Sequence, residues 1–188
     1  MLVVIGYESM YGNTHRIADA VAAGFTVDDQ VTVMPIAGVD LTAVEPDVLI
    51  VGVPTHAHGL PGPNSRRAAI DAVTRGKDQH ALDGSAAVDG GAREWLAQLP
   101  THLTTQVAVF DTRFRPPAWL VGRPSRRVGH VLTRHGARLL ASPESFFVDK
   151  HEQLLPDELE RARAWGTRLR ERASATAAVA ARSGPSRT

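Results

Sequence analysis

Three stretches of the chain are apolar without interruption. Leu2-Val3-Val4-Ile5-Gly6, the run from Val48 to Val53 behind Asp47, and Val107-Ala108-Val109-Phe110 between Gln106 and Asp111 show no alternation. Short continuous runs of this kind predict strands, the first two central and covered on both faces. Gln30-Val31-Thr32-Val33-Met34 alternates instead and stops at Pro35, the pattern of an edge strand. Ala137 to Ala141 and Ser145 to Val148 predict one last strand, interrupted at Pro143.

The segments between them carry apolar residues at helical spacing. Ile17, Ala20, Val21 and Phe25 predict a first helix, with Gly24 as its C-cap. A second helix runs from about Ser65 to Arg75 with Ala68, Ala69, Ala72 and Val73 inward, and a short one from Ala92 to Leu99 carries Trp95. Pro124 opens a fourth over Val128, Val131, Leu132 and His135, closed by Gly136. Pro156 to Arg172 closes the chain with Leu159, Ala162, Trp165 and Leu169 inward. Trp95, Trp165, Val128 and Leu132 are expected in the core. Residues 37–46 read as a loop with at most a helical turn over Leu41 and Val44, and residues 79–91 as a polar loop.

Five strands alternating with helices call for an α/β fold, a doubly wound parallel sheet in the order 2-1-3-4-5. The polar second strand then lies at the edge, and strands one and three are neighbours at the switch point. Three loops face one crevice there: Glu8 to Asn13, Pro54 to Gly59, and Asp111 to Phe114. A single domain over residues 1–172 is expected, followed by a flexible Ala/Ser/Arg tail over 173–188.

Composition narrows the chemistry. Among the 188 residues there is no cysteine, which removes disulfides, thiolate catalysis and Cys-based metal sites, so any redox chemistry needs a bound cofactor. No apolar run is long enough for a membrane span and no signal peptide is visible, so a cytoplasmic protein is expected. The net charge is +1 but unevenly spread. Residues 1–90 hold 5 Lys or Arg against 11 Asp or Glu, and the remainder 16 against 9. The series Arg113, Arg115, Arg123, Arg126, Arg127, Arg134 and Arg138 fits either a solvated face or an anion-binding one, for an acidic partner or the 2′-phosphate of NADPH. Nucleic acid is not an expected partner.

The first loop, Ser9-Met10-Tyr11-Gly12-Asn13-Thr14, places hydroxyls and backbone N–H groups at a helix start, a volume suited to a phosphate. It lacks the Lys of a Walker A loop and the glycines of a dinucleotide fingerprint. The plainer alternative is a helix simply capped by Asn13 or Thr14. His56 and His58 could hold a metal only with a carboxylate or third His that the loop does not supply, so no metal is expected. Ser9 has no nucleophile elbow, and Val53-Pro54 stands where a receiver domain would need Asp.

Tyr7 followed by Ser9-x-x-Gly12-Asn13-Thr14 resembles the phosphate loop of the flavodoxin family. Pro54-Thr55 with Gly59 is similar to the second flavin loop of that superfamily's quinone-reductase branch, and Asp111-Thr112-Arg113 stands at the third. With Arg93-Glu94-Trp95-Leu96, the chain over residues 2–170 resembles uncharacterised flavodoxin-like proteins of high-GC bacteria. The resemblance implies FMN, held by Ser9, Met10, Tyr11, Gly12, Asn13, Thr14, Pro54, Thr55, His56, His58, Gly59, Asp111, Thr112, Arg113 and Phe114. It implies electron transfer to a redox partner protein, or NAD(P)H-linked reduction of quinone-like acceptors, with a homo-oligomer compatible with either. The Trp and Tyr that sandwich the ring in carrier flavodoxins are absent here. The second loop offers His56 and His58, the third Phe114 or the later Trp119. An accessible flavin follows, or else a flavin-free fold serving as a binding protein.

Overall fold

The structure, a computed structural model, describes residues 1–55, 59–115 and 122–182. The elements run β1 (Leu2–Tyr7), α1 (Asn13–Ala22), β2 (Gln30–Pro35), β3 (Val48–Pro54), α2 (Pro63–Thr74), α3 (Ala92–Leu96), β4 (Gln106–Phe114), α4 (Pro124–Arg134), β5 (Arg138–Leu139), β6 (Glu144–Val148) and α5 (Glu158–Arg182). The sheet is parallel with order β2-β1-β3-β4-β5, as the sequence predicts. β5 pairs with the start of β4 and β6 with its end, so the interruption before Glu144 splits one edge strand into two.

The unbroken apolar runs occupy the centre because both faces of β1, β3 and β4 are covered. On one face Ile5, Ile17, Val21, Ile50 and Trp165 form a core in which Phe110, Phe146 and Trp165 meet edge to face at 5.7–6.1 Å. On the other, Leu49, Val51, Trp95, Val107, Val128 and Leu132 pack together.

Four local expectations change. Gly24 is not a left-handed cap; α1 ends at Ala22, with Ala23 as its C-cap. Gly24 instead lets α5 approach, since a Cβ there would stand 2.3 Å from the Arg163 carbonyl oxygen. The helical turn after β2 lies over Ile36–Gly38, earlier than Leu41. Ala68 of α2 is exposed and Arg66 buried, so the inward face is shifted toward Arg66 and Ile70 while Ala69 and Val73 stay on it. α5 runs through Arg182 with Ala173 fully buried, where a tail without structure is expected from 173, and Leu159 is 37% exposed.

The α1–α5 crossing depends on Gly166 as well, because a Cβ there would sit 2.2 Å from the Val21 carbonyl oxygen. Backbone cannot yield as a side-chain end can. Gly166→Ala is expected to cost about 2 kcal/mol, seen as a Tm lower by about 6 °C. An unchanged Tm would mean that the helices separate freely.

Candidate functional site

The C-terminal ends of β1, β3 and β4 meet at a cleft of about 170 Å³. Of the residues singled out in the sequence, Ser9, Met10, Tyr11, Asn13, Thr14, Pro54, Thr55, Thr112, Arg113 and Phe114 line it. Gly12 lies behind this wall as the helix N-cap, and Gly59 falls outside it. His56, His58 and Trp119 lie outside the described residues.

At the N-terminus of α1, Gly12 adopts φ 85°, and no side chain caps the helix. The capping role expected of Asn13 or Thr14 is therefore not observed: both lie inside the helix, and the N-cap position belongs to Gly12, which has no side chain. The Gly12 amide donates to Ser9 Oγ at 3.1 Å, which leaves the Ser9 hydroxyl hydrogen available. Thr14, 1% exposed, shares a hydrogen bond of 2.8 Å with Thr112 Oγ1. Thr55 Oγ1 is buried in the same wall with no hydrogen-bond partner among the described residues. Helix dipole, free first-turn amides and hydroxyls thus converge on one volume.

The loop is pinned from outside. Tyr11 donates to Asp78 at 2.8 Å, the Asp83 amide to the Met10 carbonyl at 2.8 Å, and Asn13 Nδ2 to the Glu152 carbonyl at 2.6 Å. His15 stacks on Tyr7 at 4.3 Å and bonds Asp83 at 3.0 Å. His80 sits between two acceptors, the Asp78 carboxylate at 2.6 Å and the His151 carbonyl at 3.0 Å, an arrangement that suits the imidazolium. Those two partners, His151 first, raise its pKa above the ordinary value. Burial raises the Tyr11 phenol, and its bond to Asp78 adds to the effect.

The third loop begins later than expected. Thr112, Arg113 and Phe114 are still strand, because β6 continues the ladder beside them. Asp111 is fully buried and faces away from the cleft. Its Oδ2 accepts the Ser125 hydroxyl and the Ser125 amide, the latter at 3.1 Å, so it caps α4 and contributes no contact to the cleft. Burial pushes its pKa up against those bonds. Arg113 is 9% exposed, 3.8 Å from Asp111 Oδ1 and 4.9 Å from the centre of the Phe147 ring. Glu144, which β6 places beside β4, is bonded to Arg161.

Sequence reasoning missed Arg66. This side chain, 2% exposed, lines the cleft from α2 and joins Glu8 Oε1 at 3.2 Å to Glu94 Oε2 at 2.6 Å. Its Nε donates to the Val88 carbonyl at 2.6 Å, and Glu8 Oε2 accepts the Ala92 amide at 2.8 Å. Burial raises the Glu8 pKa although Arg66 opposes it. The available signal was a lone charge sharing a helical face with Ala69, Ile70 and Val73. Glu152 also enters the cleft wall from the turn after β6, and burial raises its pKa. Among the described residues no group of His, Asp and Glu could hold a metal ion, and no helix is long and apolar enough to cross a membrane.

Residues 5–95 match the flavodoxin family. No curated protein sequence matches. In fold, the chain is similar to oxidised flavodoxin 1 from Bacillus cereus, with a TM-score of 0.62 at 16% identity over 91% of this chain and 98% of that one. It is similar to a Streptococcus pneumoniae flavodoxin, TM-score 0.57 at 22% identity over 91% and 99%. A WrbA-like flavodoxin protein from Agrobacterium tumefaciens gives 0.55 at 19% identity over 93% and 98%.

Proposed function

We propose that this chain, whose residues 5–95 match the flavodoxin family and whose fold is similar to flavodoxins, binds FMN and transfers electrons, with quinone-like molecules as acceptors and NAD(P)H or a redox protein as donor. The observation that carries this reading is the uncapped start of α1 at left-handed Gly12, with the Ser9, Thr14 and Thr55 hydroxyls around one cleft. That donor set fits a phosphomonoester followed by a polar chain, and the unpartnered Thr55 hydroxyl fits an absent acceptor. Ser9, Asn13, Thr14 and the first amides of α1 would hold the phosphate. Pro54, Thr55 and Thr112 to Phe114 would border the ring, with Arg113 supplying a positive wall. FMN supplies the redox chemistry that this cysteine-free chain lacks. The chain's own part is to bind, orient and set the charge around the group. The strand Thr112–Phe114, held on both sides by β3 and β6 at its start, makes that wall rigid.

Purified protein is expected to be yellow and to oxidise NADH or NADPH in the presence of a quinone; colourless protein that takes up no added FMN overturns the reading. FMN is also expected to bind more tightly than FAD. The loop has one glycine at the helix start, and no second to let backbone approach a pyrophosphate. Calorimetry with both flavins decides it, and equal or tighter FAD binding would contradict a monoester site.

A further inference from the structure

We propose that the exposed face of α4, with the adjoining rim of the cleft, docks a protein with an acidic surface. From Thr112 to Pro143 the chain holds seven arginines and neither Asp nor Glu. Arg115, Arg126, Arg127, Arg134 and Arg138 are exposed, and among the described residues none has an acidic side chain within ion-pairing distance. Arg126, Arg127, His130 and Arg134 recur at helical spacing on the side opposite buried Val128 and Leu132.

The placement works against the helix that carries it. Arg126 and Arg127 stand in the first turn, at the positive end of the dipole, and that turn holds no acid. Among the described residues the carboxylate serving this helix end is Asp111, fully buried beneath it and bonded to Ser125. These cations therefore do not serve α4 and suit an anion from outside.

The same contact fixes where the face lies. Ser125 is bonded to Asp111, the neighbour of the cleft residue Thr112, and Arg113 continues the positive charge into the cleft wall. A docked partner would stand against the opening. Arg126 to Arg134 spans about 12 Å of helix, too long for one small anion. Nucleic acid is disfavoured because the chain as a whole is nearly neutral at +1, with residues 1–90 acidic. A compact acidic protein meets only the basic face. That the partner is a redox protein rests on the flavin reading above; the docking face does not.

The test is binding of a plant-type ferredoxin, an acidic carrier, to the full chain by calorimetry at about 20 and about 200 mM salt. Affinity is expected to fall at least about tenfold between the two salts, and about tenfold at low salt in Arg126→Glu/Arg127→Glu. Arg126→Gln/Arg127→Gln is expected to lose about half as much on a logarithmic scale. Arg163→Glu/Arg168→Glu, the same charge change on exposed positions of α5, is expected to leave affinity unchanged. No ferredoxin binding at low salt, equal loss in the α4 and α5 variants, or tighter binding of a short DNA duplex or of phosphatidylserine vesicles would each overturn the proposal. Flavin content, measured on the same samples, reports separately on the FMN reading.

Discussion

Arg66→Met is expected to lower the free energy of unfolding by about 3–5 kcal/mol, the cost of breaking a buried ion pair by removing one partner. Methionine matches the length of the lost stem but supplies no donor. Glu8 then keeps only the Ala92 amide, and the Val88 and Pro61 carbonyls lose their bonds. The sign of the pH dependence follows from burial, which already holds the Glu8 pKa above its ordinary value. Proton uptake by Glu8 therefore favours the folded state at low pH, and that contribution fades as pH rises through the folded pKa. Without Arg66 the folded pKa rises further, so the variant's deficit should be smaller near pH 5 than near pH 8. Urea unfolding at both pH values checks this. Arg66→Lys, which keeps the charge and loses the fork, should fall between. Equal deficits at both pH values would mean that Glu8 does not carry the effect.

Thr14→Ala and Ser9→Ala should each weaken FMN by about 1.5–3 kcal/mol, the range for hydrogen bonds to a charged group. Ser9 accepts the Gly12 amide with a lone pair and keeps its hydrogen to give. Thr14 shares one hydrogen with Thr112, so of the two hydroxyls one hydrogen is left for a ligand. Riboflavin, which lacks the phosphate, should bind both variants nearly as it binds the unsubstituted protein. Thr14→Ser should restore most of the FMN affinity. Fluorescence titration with both flavins separates the cases. Equal losses for riboflavin would make the two hydroxyls supports of the loop and move the phosphate elsewhere.

The strand order and both cores were legible because a parallel sheet leaves a strong imprint. Strands covered on both faces read as unbroken apolar runs, and β2 alternated because its edge is wet. The loop after β1 was legible as part of the cleft wall for a similar reason: Ser9, Met10, Tyr11, Asn13 and Thr14 fall within six positions of sequence. What stayed hidden depends on contacts between distant segments. Arg66 looked like one more surface charge, because Glu8 and Glu94, which make its burial tolerable, lie 58 and 28 residues away. Asp111 was assigned to the cleft because strand ends cannot be read to within a residue. β6 adds a partner that lengthens β4, and a shift of one position turns a side chain to the opposite face. Gly24 fitted a cap by position, whereas its role depends on a helix that arrives at the other end of the chain.

That last contact has a bearing on synthesis. Thr167 Oγ1 reaches the Gly24 carbonyl across 143 residues of sequence, and Gly24 and Gly166 make the crossing close. At about 5–20 residues per second, the interval between translation of the two helices is on the order of 10 s. During it β1 and α1 can form, but Ile17 and Val21 lack the cover that Ala162, Trp165 and Leu169 give them in the finished core. The nascent chain thus carries a sticky apolar flank until its final helix leaves the ribosome. A stop codon before Gly166 would strand it in that state, exposed to chaperones and proteases.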